Sequence, residues 1–409
     1  MHVLMLTPDA QMIDRRILQE ARTLVGAGHR VTLLAGFECR EPKSYVQDGI
    51  EIHRLTYDWD DERLKRIRSK LPAHDGIRRV ANRAFMLVAK RLFTLNPFCQ
   101  FVFEHALKYR PDVIHVHDFP MLKIGVLAAE QLDVPLVYDA HEIYYAQDVL
   151  PAKVQRQYRR EEHKYIGRAR HVITVNDFIA DIMAERYAIP KPHVLHNAAD
   201  ELTPAVRDGR SKLRERIPHD GPMLLYQGWM SPERNIEAIV KAMPHVDPAA
   251  KLAMVGYGAQ EPVLKQIAHD LNVTDRVHFL GQIDSGELAA YTRGASLGLI
   301  PYLPIDENHH FCSPNKFFEF VVGGVPILAH DLPFFRMMGK RHGVVDVTNF
   351  AEPTAVAASI NGLLKSGKLA TMQSACREAG QVLNWRVEGG KLLKIYESIA
   401  PTLNRRRAA

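Results

Sequence analysis

The feature that most limits what this chain can fold into is an alternation that runs along almost its whole length. Short apolar runs are followed by stretches of helical spacing, again and again. Val3 to Thr7 reads as a strand. Asp14 to Ala27 then carries Ile17, Leu18, Ala21, Leu24 and Val25 at helical intervals, with Asp14 as the expected N-cap and Gly28 as the stop. Further strands are expected at Arg30–Ala35, Ile50–Leu55, Val113–Val116, Leu136–Tyr138, Val172–Val175 and His193–Leu195. Such β-α-β repetition implies a parallel sheet covered by helices on both faces.

The rhythm pauses between Ala198 and Gly221, a polar stretch with Pro204, Gly209 and Pro218 that reads as a junction holding a short basic helix. A second series follows, with strands expected at Met223–Gln227, Lys251–Val255, Arg276–Leu280, Ser296–Ile300 and Pro326–Ala329. Helices are expected between them, among them Glu233–Met243 and Pro262–Leu271. A chain of 409 residues is too long for one ordinary α/β core. The reading is therefore an α/β protein of two tandem Rossmann-like, doubly wound domains, 1–200 and 201–380, with terminal helices at 381–409. Ligands of such sheets bind beyond the carboxyl ends of the strands, which here points to a cleft between the domains.

Composition excludes several classes. No run approaches the roughly 18 apolar residues of a membrane span, and Met1–Thr7 is too short for a signal peptide, so a cytoplasmic location is expected. Cys39, Cys99, Cys312 and Cys376 form no CxxC pair, so neither a zinc site nor a disulfide framework is implied and four reduced thiols are expected. The net charge of +6 suits an anionic ligand or membrane surface but does not call for nucleic acid. After the first strand stands Thr7-Pro8-Asp9-Ala10-Gln11 rather than GxGxxG, which argues against a dinucleotide-dependent dehydrogenase.

The strongest local signal is Phe311-Cys312-Ser313-Pro314-Asn315-Lys316-Phe317-Phe318-Glu319, continuing to Gly323-Gly324 and a strand. Ser313 reads as an N-cap and Pro314 as the first helical residue. The free amides at that helix start make a phosphate site, to which Lys316 adds charge. One turn on, the Glu319 carboxylate can accept hydrogen bonds from two vicinal hydroxyls, such as those of a ribose. The same pattern also describes a capped surface helix.

This segment resembles the donor-site helix of family 4 glycosyltransferases of the GT-B fold. In that family two glutamates are separated by seven intervening residues, and Glu319 matches the second, which holds the nucleotide ribose. The first falls at Phe311, so this chain resembles the subgroup with Ser-Pro-Asn-Lys before the Glu. Tyr226-Gln227-Gly228-Trp229 with Arg234-Asn235 is similar to the family's first second-domain strand, its glycine turn and the base that meets the diphosphate. The family's other base, near Trp229, is absent, and Lys316 is expected to compensate. Val255-Gly256-Tyr257-Gly258 is a further glycine turn, and Asn384-Trp385 with Leu392–Ile399 resembles the family's terminal helices, which cross back onto the first domain.

In the first domain Val137-Tyr138-Asp139-Ala140-His141-Glu142 resembles the family's strand-end histidine, which sits near the donor sugar. An imidazole there can bond a sugar hydroxyl or steer a proton. His115-Val116-His117-Asp118 hints at a metal, but no third ligand stands at useful spacing. His117 and Asp118 are read as reaching the cleft and forming its wall. Asp58-Trp59-Asp60-Asp61 matches a metal motif of the other major glycosyltransferase fold but sits in the wrong architecture and reads as a solvated loop. From Arg63 to Lys108 eleven lysines and arginines interleave with Phe85, Leu87, Val88, Leu92 and Phe93, as in helices that rest on anionic lipid; a solvated face over the core would look the same.

The resemblance implies a retaining, metal-independent transfer of a sugar from a nucleotide donor, expected to be a UDP-sugar, to a hydroxyl of a glycan or lipid-linked acceptor. Cell-surface polysaccharide synthesis at the inner face of the membrane is the expected setting. His141, Arg234, Lys316 and Glu319 are the expected catalytic set. Gly228, Gly256, Tyr257, Ser313, Asn315, His117, Asp118 and Glu142 are expected to bind substrate. Two other readings stand beside this one: a nucleotide-sugar hydrolase or epimerase of the same fold, and a non-catalytic nucleotide-sugar-binding subunit, which the missing carboxylate at Phe311 would suit.

Overall fold

The computed structural model describes residues 1–9, 12–57 and 97–408. The Asp58–Asp61 motif and residues 63–96 of the basic stretch lie outside them. Fourteen strands are present among the described residues, in two sheets. The first holds β1 (His2–Leu6), β2 (Arg30–Ala35), β3 (Glu38–Gln47), β4 (Ile50–Thr56), β5 (Val113–His117), β6 (Leu136–Ala140), β7 (His171–Thr174) and β8 (His193–Val194), in the order β3-β4-β2-β1-β5-β6-β7-β8. The second holds β9 (Met223–Gln227), β10 (Lys251–Val255), β11 (Val277–Gly281), β12 (Leu297–Ile300), β13 (Ile327–His330) and β14 (Val345–Thr348), in the order β11-β10-β9-β12-β13-β14. Every neighbouring pair is parallel except β3 with β4.

Strand periodicity builds the layers. In β1, Val3 and Met5 enter the core on one face, and Leu4 and Leu6 enter the core on the other. In β9, Met223 and Leu225 face one way, Leu224 and Tyr226 the other. Each such side chain contributes roughly 1.5–3 kcal/mol when fully buried. The last helix, Trp385–Ala408, leaves the second domain and places Leu392, Ile395, Tyr396 and Ile399 in the core beside Val3, Met5, Ile17 and Leu24. Trp385 Nε1 donates to Thr23 Oγ1 at 2.9 Å.

Two strands escape the reading from sequence. β3 is a charged edge strand containing Pro42, and β14 is only four residues long, so neither shows an apolar run. The helix expected over Glu233–Met243 is broken: a single tight turn at Pro232–Arg234 precedes a helix at Glu237–Ala242. Asn235 interrupts it with φ of 52°, its side-chain amide donating to the Pro301 and Phe350 carbonyls. The junction holds two short helices, Pro204–Asp208 and Lys212–Arg216. No helix among the described residues is long and apolar enough to cross a membrane.

Strand order reverses at β1/β5 in one sheet and at β9/β12 in the other, the places where ligands bind in doubly wound sheets. The ends of these strands meet across one cleft.

Candidate active site

Between the domains lies a cavity of about 1050 Å³, ample for a nucleotide sugar. Asp14, His141, Glu142 and Asn197 line it from the first domain. Gly228, Arg234, Ser313, Asn315, Lys316 and Glu319 line it from the second.

The helix Asn315–Val322 opens at the cavity without a side-chain cap. Ser313 is not that cap. It is buried, its hydroxyl donates to the Val175 carbonyl at 3.4 Å, and it accepts from Asn176 Nδ2 at 3.2 Å, so it ties the helix entrance to the first domain. Pro314 takes the capping position and leaves the first amides to the cavity. Lys316 is buried, with Nζ 4.0 Å from the Tyr226 ring centroid and 5.0 Å from that of Tyr302, and without a hydrogen-bond partner among the described residues. Burial, and then the nearby charge of Arg234, push its pKa well below the usual value. The Arg234 guanidinium lies 4.5 Å over Tyr302. Two basic side chains thus share one aromatic floor, and an anion there would favour the charged form of both.

Glu319 faces the same space. Its Oε1 accepts from Arg15 Nη1 of the first domain at 2.6 Å, and its Oε2 accepts from Gln227 Nε2, whose own oxygen takes the Thr292 hydroxyl at 2.8 Å. Arg15 stands outside the motifs read from the sequence, and Gln227 lies in the Tyr226–Trp229 segment with no role of its own assigned there. Gly256 and Tyr257 do not line the cavity. Gly256 has φ of 136°, and a Cβ there would fall 1.9 Å from the Gly228 carbonyl oxygen. It therefore supports the Gly228 turn from behind, while Tyr257 stacks edge-on with Trp229 at 4.7 Å.

In the first domain His141 stands at the end of β6 between two carboxylates. Its Nε2 is 3.0 Å from Asp139 Oδ2, and its Nδ1 is 3.4 Å from Asp118 Oδ2. Burial alone would lower its pKa, but the charges of Asp118 and Asp139 outweigh that and raise it to about 10. Asp139 is held ionised, against its burial, by Arg16, which bonds it through Nε at 2.9 Å and Nη2 at 3.0 Å. Asp118 has φ of 61° and ψ of 159°, a costly conformation for a residue with a Cβ and one that recurs at functional sites.

His117 does not reach the cleft. It is fully buried behind His141, 3.3 Å from its Nε2, because the strand directs it into the domain. The metal reading also changes. Spacing offered no third ligand, but the fold brings Glu20 and Asp139 to His115 and His117, with ligand atoms within 4.8 Å of one another. Both Glu20 oxygens and the Nε2 atoms of both histidines lack hydrogen-bond partners among the described residues. A guanidinium already lies against the two carboxylates, with Arg16 Nε 3.1 Å from Glu20 and 2.9 Å from Asp139. Any metal ion would share those oxygens with it.

Phe311 turns away from the cavity, stacks on Phe178 of the first domain at 6.0 Å, and offers its carbonyl to Asn176 at 2.8 Å. A carboxylate enters the cavity from the other side instead. Glu142 accepts from Gln147 Nε2 at 2.6 Å and from Asn308 Nδ2 of the second domain at 2.9 Å. Burial raises its pKa, partly opposed by the Asn308 hydrogen bond.

Residues 13–198 match the family described as the glycosyl transferase 4-like domain, and residues 210–381 match the glycosyl transferases group 1. The chain is 25% identical over 313 residues to D-inositol 3-phosphate glycosyltransferase of Xylanimonas cellulosilytica, spanning 70% of this chain and 71% of that protein. It is 26% identical over 272 residues to alpha-monoglucosyldiacylglycerol synthase of Streptococcus pneumoniae, spanning 63% of this chain and 60% of that one. Its fold resembles that of Anabaena HepE in complex with UDP, with a TM-score of 0.70 at 17% identity over 97% of this chain and all of that one.

Proposed function

We propose, from the premise that this chain belongs to the two-domain glycosyltransferases of GT-B fold, that it moves a sugar from a UDP-sugar to a hydroxyl of a glycan or lipid-linked acceptor, with retention. The observation that carries the reading is Lys316, a buried amine without a hydrogen-bond partner among the described residues, beside Arg234 and at an uncapped helix start. These groups suit a diphosphate, and Glu319, one turn along, suits the ribose that would follow it. The UDP bound to HepE supports the choice of base. The similarity to an alpha-monoglucosyldiacylglycerol synthase supports a lipid-linked acceptor; peripheral contact with an anionic membrane through the basic stretch 63–108, and a setting in cell-surface polysaccharide synthesis, belong to the same proposal and rest on the sequence alone.

The chemistry then needs charge stabilisation and positioning more than proton abstraction. The anomeric C–O bond to the phosphate breaks as the acceptor oxygen bonds to the same face. The acceptor proton passes to the departing phosphate oxygen. Arg234, Lys316 and the helix amides take up the charge that develops on the diphosphate, so the proposed reaction uses no metal. His141, kept cationic by Asp118 and Asp139, donates to the donor sugar. Glu142 supplies the carboxylate that Phe311 does not.

Thermal unfolding with UDP, GDP, ADP and NAD, on wild type and Glu319→Ala, tests the donor site. A ligand at about 100 times its Kd adds roughly 2.7 kcal/mol. A shift with one nucleoside diphosphate, weakened in Glu319→Ala, supports the reading; no shift, or a shift with NAD alone, overturns it. Product analysis with and without an acceptor separates transfer from hydrolysis, epimerisation or binding alone.

A further inference from the structure

We infer that Arg15 is a donor-site residue supplied by the first domain: it holds Glu319 while the cleft is empty and moves to the diphosphate when a ribose takes that carboxylate. This inference rests on the donor reading above.

The contact is specific and crosses the cleft. Arg15 and Glu319 stand 304 positions apart, yet Nη1 and Oε1 are 2.6 Å apart. Of the two Glu319 oxygens, Oε2 already receives Gln227, which is itself fixed by Thr292. The other oxygen, Oε1, is the one Arg15 holds. Vicinal hydroxyls that bridge the two oxygens of Glu319 meet that guanidinium and displace or share it.

Its neighbours fix the base of the arm and leave its side chain partly open to solvent. Arg15 is the first residue of the helix Arg15–Gly26, next to the N-cap Asp14 that lines the cavity. The adjoining Arg16 is locked in the core by Asp139, the Leu195 carbonyl and Asn197. The Arg15 side chain is 31% exposed, and among the described residues its ion pair is with Glu319.

Charge gives the arm a destination. Arg234 and Lys316 are the arginine and lysine side chains that line the cavity from the second domain among the described residues, and burial together with Arg234 presses Lys316 toward neutrality. A sugar nucleotide brings two negative charges, and a third develops as the diphosphate leaves. Arg234 and Lys316 do not match three charges. A guanidinium released at the moment the ribose binds does, and its planar fork suits phosphate oxygens.

The test is calorimetric binding of UDP and uridine, with GDP and guanosine, and ADP and adenosine, in parallel, to wild type, Arg15→Ala and Arg15→Gln. Arg15→Ala and Arg15→Gln are each expected to weaken the diphosphate about tenfold or more and to leave the nucleoside unchanged or tighter. The difference shrinks as salt is raised. If diphosphate and nucleoside weaken together, Arg15 only orients Glu319, and the inference falls. If neither changes, it falls as well. If wild type binds no nucleoside diphosphate, the donor reading itself fails and takes this inference with it.

Discussion

Lys316 Nζ lies 4.0 Å from the centre of the Tyr226 ring and donates to no oxygen among the described residues. An ammonium so placed destabilises the empty protein. Lys316→Met is therefore expected to melt higher than wild type without ligand and to bind UDP at least tenfold more weakly. Thermal unfolding with and without UDP reads both effects. A variant that melts lower and binds normally would falsify the assignment.

The same lysine predicts a pH dependence. Its pKa in the empty site lies below the usual value, and a bound diphosphate restores it. Binding then takes up a proton between the two values, so UDP affinity falls as pH rises through that window, by at most tenfold per unit. Calorimetry in two buffers of different ionisation enthalpy should show uptake in wild type and none from this group in Lys316→Met.

Arg16 is the buried partner of Asp139 and Glu20. Removing it leaves carboxylates uncompensated in the core, so Arg16→Met is expected to cost about 3–5 kcal/mol. Urea unfolding followed by circular dichroism measures this. A loss below about 1 kcal/mol would mean that the pair is screened as a surface pair is.

The pKa of His141 is shifted in the opposite direction to that of Lys316, and the loss of its charge on the alkaline side is read in stability and turnover. Its folded pKa of about 10 lies above the ordinary 6.5, so its stabilising contribution is complete below about pH 6.5 and disappears as pH rises through the folded value. Turnover that uses the imidazolium should decline on the same alkaline limb. Asp118→Asn removes one raising charge, so that limb should move to lower pH. An unmoved limb would assign it to another group.

Gly256→Ala must push a methyl into the Gly228 carbonyl at a φ of 136°. The expected cost is about 2 kcal/mol or more, with loss of UDP binding, because the Gly228 turn moves. Gly26→Ala, where a Cβ meets nothing within 4 Å, serves as the control and should be neutral or mildly stabilising. Equal behaviour of the two variants in denaturant would show that the turns do not support each other.

Most of the fold is legible in the chain because local physics writes it there. Apolar alternation located β1, β2, β5, β6, β9 and β10 with small shifts at their ends. β3 escaped because an edge strand with one wet face and a proline needs no apolar run. The broken helix at Asn235 escaped because two carbonyls from distant loops, Pro301 and Phe350, capture its side chain.

The candidate site divides in the same way. By itself the sequence determined the two doubly wound sheets and the segment that brings Asn315, Lys316 and Glu319 together, since helical spacing and a proline act over a few residues. Only the tertiary structure decided that Arg15 meets Glu319, that His117 hides behind His141, that Phe311 turns to Phe178 while Glu142 enters the cavity, and that Glu20 and Asp139 join the two histidines. Those contacts join residues up to 304 positions apart. Residue spacing carries no record of them, because they exist only once two separately formed sheets have packed their strand ends against one cleft.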